Sequence, residues 1–325
     1  MAEREVRTDE AAIARWFQKH GLAAGRRTRR GLLASENRDG WLFASPWIAG
    51  FVLFTAGPMV ASFVMGLMQW DLLSPPQFAG WSNYTRALRQ DPLVWQALRI
   101  TTAYALGSVP LQMVSGFSLA LLLNTGVSGL RWYRTVYYMP AVLGGVEVSL
   151  LWIWVYQPQF GLANWMLSLV GIAGPPWLAS QTWALPSLVI MSVWGVGQSM
   201  VIYLAGLQGV PTTLYEAASA DGANWWGRFR HVTLPMVSPV LFFQLVMGII
   251  GALQVFTAGY VMTAGGPNNA TLFFVLHLYR NAFQYFKMGY ACSLAWLLFL
   301  YVSALTLLTF RSSSAWVYYE TELRT

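Results

Sequence analysis

Charge is scarce in this chain. Asp, Glu, Lys and Arg together make up 10% of its 325 residues, where a soluble domain carries about 25% to keep its surface solvated. A soluble globular protein is therefore excluded. A single cysteine, Cys292, excludes an internal disulfide and a thiolate zinc cluster. The three histidines, His20, His231 and His277, lie far apart and lack metal-ligand spacing, so no metal site is expected. Only two lysines occur, Lys19 after Gln18 and Lys287 after Phe286, and neither can complete the Gly-Lys-Ser/Thr end of a P-loop. No Ser-His-Asp or Cys-His arrangement is visible, so a membrane-bound enzyme lacks a catalytic constellation, and no catalytic residue is expected.

Apolar residues are abundant instead, at 56% of the chain with 17 tryptophans and 15 tyrosines and a mean hydropathy of +0.46. Crossing a hydrocarbon core of about 30 Å takes about 20 apolar helical residues. Six stretches qualify, near 42–69, 98–124, 136–156, 184–208, 238–261 and 289–310, which predicts an all-α integral membrane protein with about six transmembrane helices. The first begins too far into the chain, and runs too long, for a cleaved signal peptide. Two shorter runs fail the length test. "LANWMLSLVGI" (162–172) meets Gly174-Pro175-Pro176, and "LFFVLHLYRNAFQYF" (272–286) is interrupted by His277, Arg280, Asn281 and Gln284. Both read as amphipathic or re-entrant pieces lying at one face.

The net charge of +7 bears on orientation, because Lys and Arg stay on the cytoplasmic side. Nine lie in the N-terminal region, with Arg26, Arg27, Arg29, Arg30 and Arg38 close to the first span, and Arg131, Arg134, Arg228, Arg230, Arg311 and Arg324 fall on the same side. Arg86, Arg89, Arg99, Arg280 and Lys287 are left for the other. This predicts both termini in the cytoplasm, a basic cytoplasmic tail over 1–37 containing the weakly amphipathic "AAIARWFQKHGL", and a membrane domain over 38–325. It also puts the loop of about 209–237 in the cytoplasm.

That loop holds "GVPTTLYEAASADG" followed by "WWGRFRH" and Leu234-Pro235. Thr213 and Glu216 have capping-box spacing, Ala217, Ala218 and Ala220 favour helix, and Gly222 can end it in the left-handed conformation. Asn224 can cap a second short helix, whose arginines with Trp225 and Trp226 suit a membrane surface, and Leu234-Pro235 is expected to stop it. An ordinary capped linker would show many of these signals. The full spacing is more particular: Glu216-Ala217-Ala218, three residues, Gly222, nine residues, then Val232-Thr233-Leu234-Pro235. It closely resembles the EAA loop of ABC-importer permeases, with Val232 where that family usually has isoleucine. "LLSPPQFAGWSNY", "FRHVTLPMVSPV", "QVFTAGYVMTAGGPNNAT" and "MGYACSLAW" extend the resemblance to carbohydrate-uptake permeases of the maltose and glycerol-phosphate type.

The resemblance implies a type I importer permease in a bacterial inner membrane. It implies a second related permease, two cytoplasmic ATPase subunits that bind the ATP and Mg, and an extracytoplasmic solute-binding protein. This chain would need no cofactor of its own. Glu216, Ala217, Ala218 and Gly222 would dock on an ATPase, with Leu234 and Pro235 closing the motif, and Arg228 would meet either acidic groups there or lipid phosphates. Transport would run by alternating access.

For the substrate path, Glu147 stands out, because a charge at the centre of a membrane helix costs about 2.5–3.5 kcal/mol on insertion scales. It would either line a water-filled path or be a carboxyl satisfied against another helix. A secondary transporter using Glu147 as a proton or cation relay is the alternative function. Trp194 and Gln198, four apart, should share a face of the fourth span, and Gly251, Gln254 and Ala258 a face of the fifth. Aromatic and amide groups suit carbohydrate, though such stripes also serve helix packing.

Overall fold

In a bilayer every backbone N–H must find a partner within the protein, so a proline inside a span forces a local adjustment. The computed structural model describes residues 29–125 and 129–318, and two of its π-helical turns stand directly ahead of such prolines. The chain divides into one unit up to Ala61 and another from Ser62 onward. In the first, α1 (Arg29–Phe51) runs through the π-helical turn Val52–Ala56 into α2 (Gly57–Gly66), with the Gly57 N–H bonded five residues back to Val52 O just before Pro58. The wider turn keeps the helix going where proline has no N–H to give and its ring would strike a carbonyl. Residues 29–37, the end of the proposed tail, are thus part of this helix. The rest of the proposed tail, including "AAIARWFQKHGL", Arg26 and Arg27, lies outside the described residues, as does Arg324.

The second unit opens with a two-stranded antiparallel ribbon, β1 (Met68–Gln69) and β2 (Gln77–Phe78), in which Met68 faces Phe78 and Gln69 faces Gln77. It is a small exception to the all-helical expectation. After it come α3 (Ser82–Arg89), α4 (Pro92–Leu123), α5 (Leu130–Tyr138), α6 (Gly145–Val155), α7 (Leu162–Leu169), α8 (Ala184–Ser192) and α9 (Gly197–Gln208). They are followed by α10 (Thr212–Ala220), α11 (Trp225–Arg228), α12 (Leu234–Leu253), α13 (Phe274–Tyr279) and α14 (Met288–Ser313). Among the described residues, four continuous helical stretches are long and apolar enough to cross a membrane: Gly40–Gly66, Pro92–Leu123, Trp225–Leu253 and Met288–Ser313. Two bent pairs, Leu130–Val142 with Gly145–Val155 at 100° and Ala184–Gly195 with Gly197–Gln208 at 50°, give six when each pair is counted as one span.

Three details depart from the sequence expectations. The third span is broken, because Pro140 opens a tight 3-10 turn and Gly144 takes an extended conformation before α6 starts. The fifth span ends at Leu253 rather than near 261, and a separate π-helical turn, Gly259–Thr263, follows. The run 272–286 is divided: Phe283, Tyr285 and Phe286 lie at the surface as expected, but its first half does not. Leu272, Phe273, Phe274 and Leu276 are at most 2% exposed, and they fill the centre of the bundle.

That centre is built on α4. Tyr104 meets Phe273 edge to face at 5.2 Å, the Phe274 N–H donates to Thr101 Oγ1 at 2.9 Å, and Leu188, Leu253 and Leu294 complete the buried cluster. Several buried hydroxyls bond backward along their own helices, as Ser187 does to Trp183 O and Thr101 to Ala97 O, which pairs their donors inside an apolar core; Ser108 Oγ on α4 has no such partner.

Candidate functional site

The Glu216 region folds as two short helices joined by a tight turn. Pro211, in an extended conformation, precedes α10 with no side-chain cap, so the capping box expected of Thr213 and Glu216 does not form. The helix starts at Thr212, which puts Thr213 inside the first turn and leaves Glu216 turned to solvent. Gly222 has φ +79°, as a left-handed helix end requires, and the turn is closed by Gly222 N–H to Ser219 O and Ala223 N–H to Ala218 O. Asn224 caps α11 by accepting from the Gly227 N–H at 2.8 Å. Arg228 turns back and donates to Ser219 Oγ at 3.2 Å, while the Tyr215 and Thr233 hydroxyls meet at 3.1 Å. The pair is therefore tied together by its own side chains, and no residue of α10 or α11 is buried.

Leu234-Pro235 does not stop the second helix. A π-helical turn over Phe229–Thr233 joins α11 to α12, with the Leu234 N–H reaching back to Phe229 O, so Trp225–Leu253 is one continuous element. On the exposed side Trp225 and Phe229 stack at 5.7 Å and 7°.

The substrate-path residues are redistributed. Glu147 is exposed in the first turn of α6, beyond the bend, and not at a helix centre. There it stands beside the partial positive charge of a helix N-terminus rather than among mid-helix peptides. Trp194 and Gln198 sit on opposite sides of the 50° bend, and Trp194 packs edge-on against Trp152 at 6.1 Å. Gln254 caps the end of α12 and is exposed, while Ala258 is buried beyond the break. The stripe expected of Gly251, Gln254 and Ala258 is therefore not one helix face.

Gln198 does line a cavity, of about 310 Å³, but with different companions. Gln112 from α4, Gln244 and Phe243 from α12, and Ser199 and Tyr203 from α9 join it there. The Tyr203 side chain is fully buried, and its hydroxyl has no hydrogen-bond partner, which leaves one polar group in the wall unsatisfied. Three amides, two hydroxyls and an aromatic face can bind a neutral polyhydroxyl molecule. Glu147, Trp194 and Gln254 do not line this cavity. Gln112 and Gln244 escaped sequence reasoning because single amides in apolar runs carry no spacing signal.

A second polar assembly lies at the other end of α4. Asp91 caps that helix by accepting from the Leu93 N–H at 3.0 Å. Its second oxygen accepts from the Tyr290 hydroxyl at 2.7 Å and lies 3.2 Å from His277 Nε2. Asn281 Nδ2 donates to His277 O. Burial pushes the Asp91 carboxyl up, but the Tyr290 bond, the neighbouring His277 and the Leu93 N–H outweigh it and hold it below its ordinary value. Burial also holds His277 below the usual imidazole range, against the pull of Asp91. A carboxylate can only accept, so Nε2 is the ring nitrogen that carries an N–H toward Asp91. The Asp91-Pro92 pair is a readable helix start, whereas its partners, about two hundred positions away, are not.

Residues 112–315 match the family of binding-protein-dependent transport system inner membrane components. The chain belongs to that family. The permease is 40% identical over 294 residues to a probable ABC transporter permease protein, YesP, of Bacillus subtilis (strain 168), covering 89% of this chain and 95% of the relative. It is 35% identical over 281 residues to the lactose transport system permease protein LacF of Rhizobium radiobacter, covering 84% and 93%. Among solved structures it is similar to a bacterial alginate ABC transporter in complex with alginate pentasaccharide-bound periplasmic protein, with a TM-score of 0.75, 22% identity and coverage of 87% and 96%. At that identity the likeness is one of fold. The permease is an inner-membrane component of a binding-protein-dependent ABC importer.

Proposed function

We propose that this permease carries a sugar or sugar derivative, delivered by a solute-binding protein, through a path lined by Gln112, Gln198, Gln244 and Tyr203. The lactose relative supports a sugar as substrate, and the amide-lined cavity has matching chemistry. A second permease subunit would form the other wall. Two ATPase subunits would bind the ATP and Mg on the cytoplasmic side, where both termini also lie. Glu216, Ala217 and Ala218 would enter a groove on an ATPase, Gly222 and Arg228 would hold the docking pair in shape, and Leu234 and Pro235 would pass its movement into α12. The observation that carries this reading is the exposed helical pair fused to a membrane helix.

The test is Gly222→Val in the assembled importer, reconstituted in liposomes with its binding protein and supplied with ATP and a panel of sugars. A β-branched residue cannot hold φ +79° cheaply, so the pair should lose its shape while the spans insert normally. Co-purification of the ATPase and ATP-driven uptake should both be abolished. Persisting ATP-driven uptake would overturn the docking assignment.

A further inference from the structure

The Asp91 end of α4 holds a cavity of about 290 Å³, separate from the amide-lined one. Three cations line it, Arg86, Arg280 and Lys287, against one carboxylate, Asp91. Asp91 is already engaged by Leu93, Tyr290 and His277. Among the described residues the one ion-pair distance is that between His277 and Asp91, so none of the three cations has a carboxylate to itself. Each is nonetheless held in place. The Arg86 guanidinium stands 5.1 Å over the Tyr290 ring, Lys287 Nζ lies 5.9 Å from the centre of the Tyr285 ring, and Arg280 donates to Ala264 O. Three fixed positive charges around one concavity favour an anion, and guanidinium forks match the oxygens of a phosphate.

The position of the cavity selects the source of that anion. Its wall includes Leu93 and Tyr290, which belong to the first turns of α4 and α14, so it sits where two spans leave the hydrocarbon. Lipid headgroups occupy that level. Phe283, Tyr285 and Phe286 beside it are at least 50% exposed, as aromatic residues at a membrane interface are. The volume is several times the roughly 30 Å³ of one water, enough for a phosphate and part of its shell. We propose that this cavity binds a phosphate group, supplied by the headgroup of an anionic phospholipid, through Arg86, Arg280 and Lys287.

The assembled importer, stripped of lipid in detergent, is titrated with phosphatidylglycerol, with phosphatidylcholine of the same chains, and with inorganic phosphate, while its thermal midpoint is followed. Phosphatidylglycerol should raise the midpoint by several degrees more than phosphatidylcholine. The double variant R86Q/K287Q should weaken the apparent affinity for it about tenfold or more. R89Q removes one arginine charge from the helix that carries Arg86, outside the cavity, and should leave the affinity unchanged. A response to inorganic phosphate that is lost in R86Q/K287Q and equals that to the lipid would support the phosphate site with free anion as its source. Equal responses to the two lipids with none to phosphate would overturn the proposal, as would an R89Q loss as large as that of R86Q/K287Q. An R86Q/K287Q variant that bound the solute-binding protein more weakly but responded normally to phosphatidylglycerol would assign the surface to that protein instead and overturn it too.

Discussion

The two ends of α4 are built on opposite principles. A 32-residue helix spans about 48 Å, and the exposed pair of α10 and α11 lies beside its last turns while the Asp91 assembly lies at its first. Ser118, Leu122 and Thr125 share a cavity wall with Tyr215, Trp225 and Arg228, but the pair buries no residue of its own two helices. It is held by contacts local in sequence. The Asp91 end is held by partners 186 and 199 positions away, with His277 and Tyr290 buried. An exposed, locally tied element can engage a partner and move as a unit. An element assembled from distant segments resists movement and fixes the helices that meet there.

Glycine makes the contrast testable. At the Asp91 end Gly289, in the first turn of α14, donates its N–H to Trp70 O, and an added Cβ would overlap the Met68 carbonyl oxygen. The obstacle is backbone in a paired strand and not a flexible side chain, so Gly289→Ala should give the largest loss of stability, about 3 kcal/mol. A fall of several degrees in the thermal midpoint of the purified importer is the expected reading. An unchanged midpoint would mean that this end yields as readily as the docking pair.

Acid should separate the ends as well. A histidine held below its unfolded value of 6.5 takes up a proton on unfolding, so its stabilising effect is complete above that pH and shrinks as pH falls below it. Asp91, also held low, withdraws its contribution only below its unfolded value of 3.8. Between pH 7.5 and 5.5 His277 should therefore lower the stability by less than about 1.4 kcal/mol per pH unit, read as a falling thermal midpoint. His277→Gln should flatten that slope. An identical slope in the variant would assign the acid sensitivity to other groups.

How much of this was legible in the sequence follows the same division. The turn at Gly222 and the cap at Asn224 could be read because each depends on residues within a few positions. The six spans could be read because length and hydropathy are local quantities. The breaks could not. Pro140 and Gly144-Gly145 lie inside an apolar run that passes any window test, so Glu147 looked central when it opens a new helix. Leu234-Pro235 looked like a stop because a proline usually ends a helix, and the wider turn that spares it leaves no mark in composition. The amide cavity and the Asp91 assembly depend on which helices become neighbours, and sequence spacing within one helix does not encode that.

The smallest effect expected belongs to the docking turn itself. At Gly222 an added Cβ would meet nothing within 4 Å, so the glycine serves only the backbone angle, the reverse of Gly289. Asparagine reaches the left-handed region more easily than other residues with a side chain. Gly222→Asn should therefore cost a few tenths of a kcal/mol and leave ATP-driven uptake near the native rate, where Gly222→Val abolishes it. If asparagine failed as completely as valine, the side chain rather than the angle would be at fault. The space beside Gly222 would then have to be filled in the assembled importer, which would make the turn a contact surface and not merely the joint between two helices.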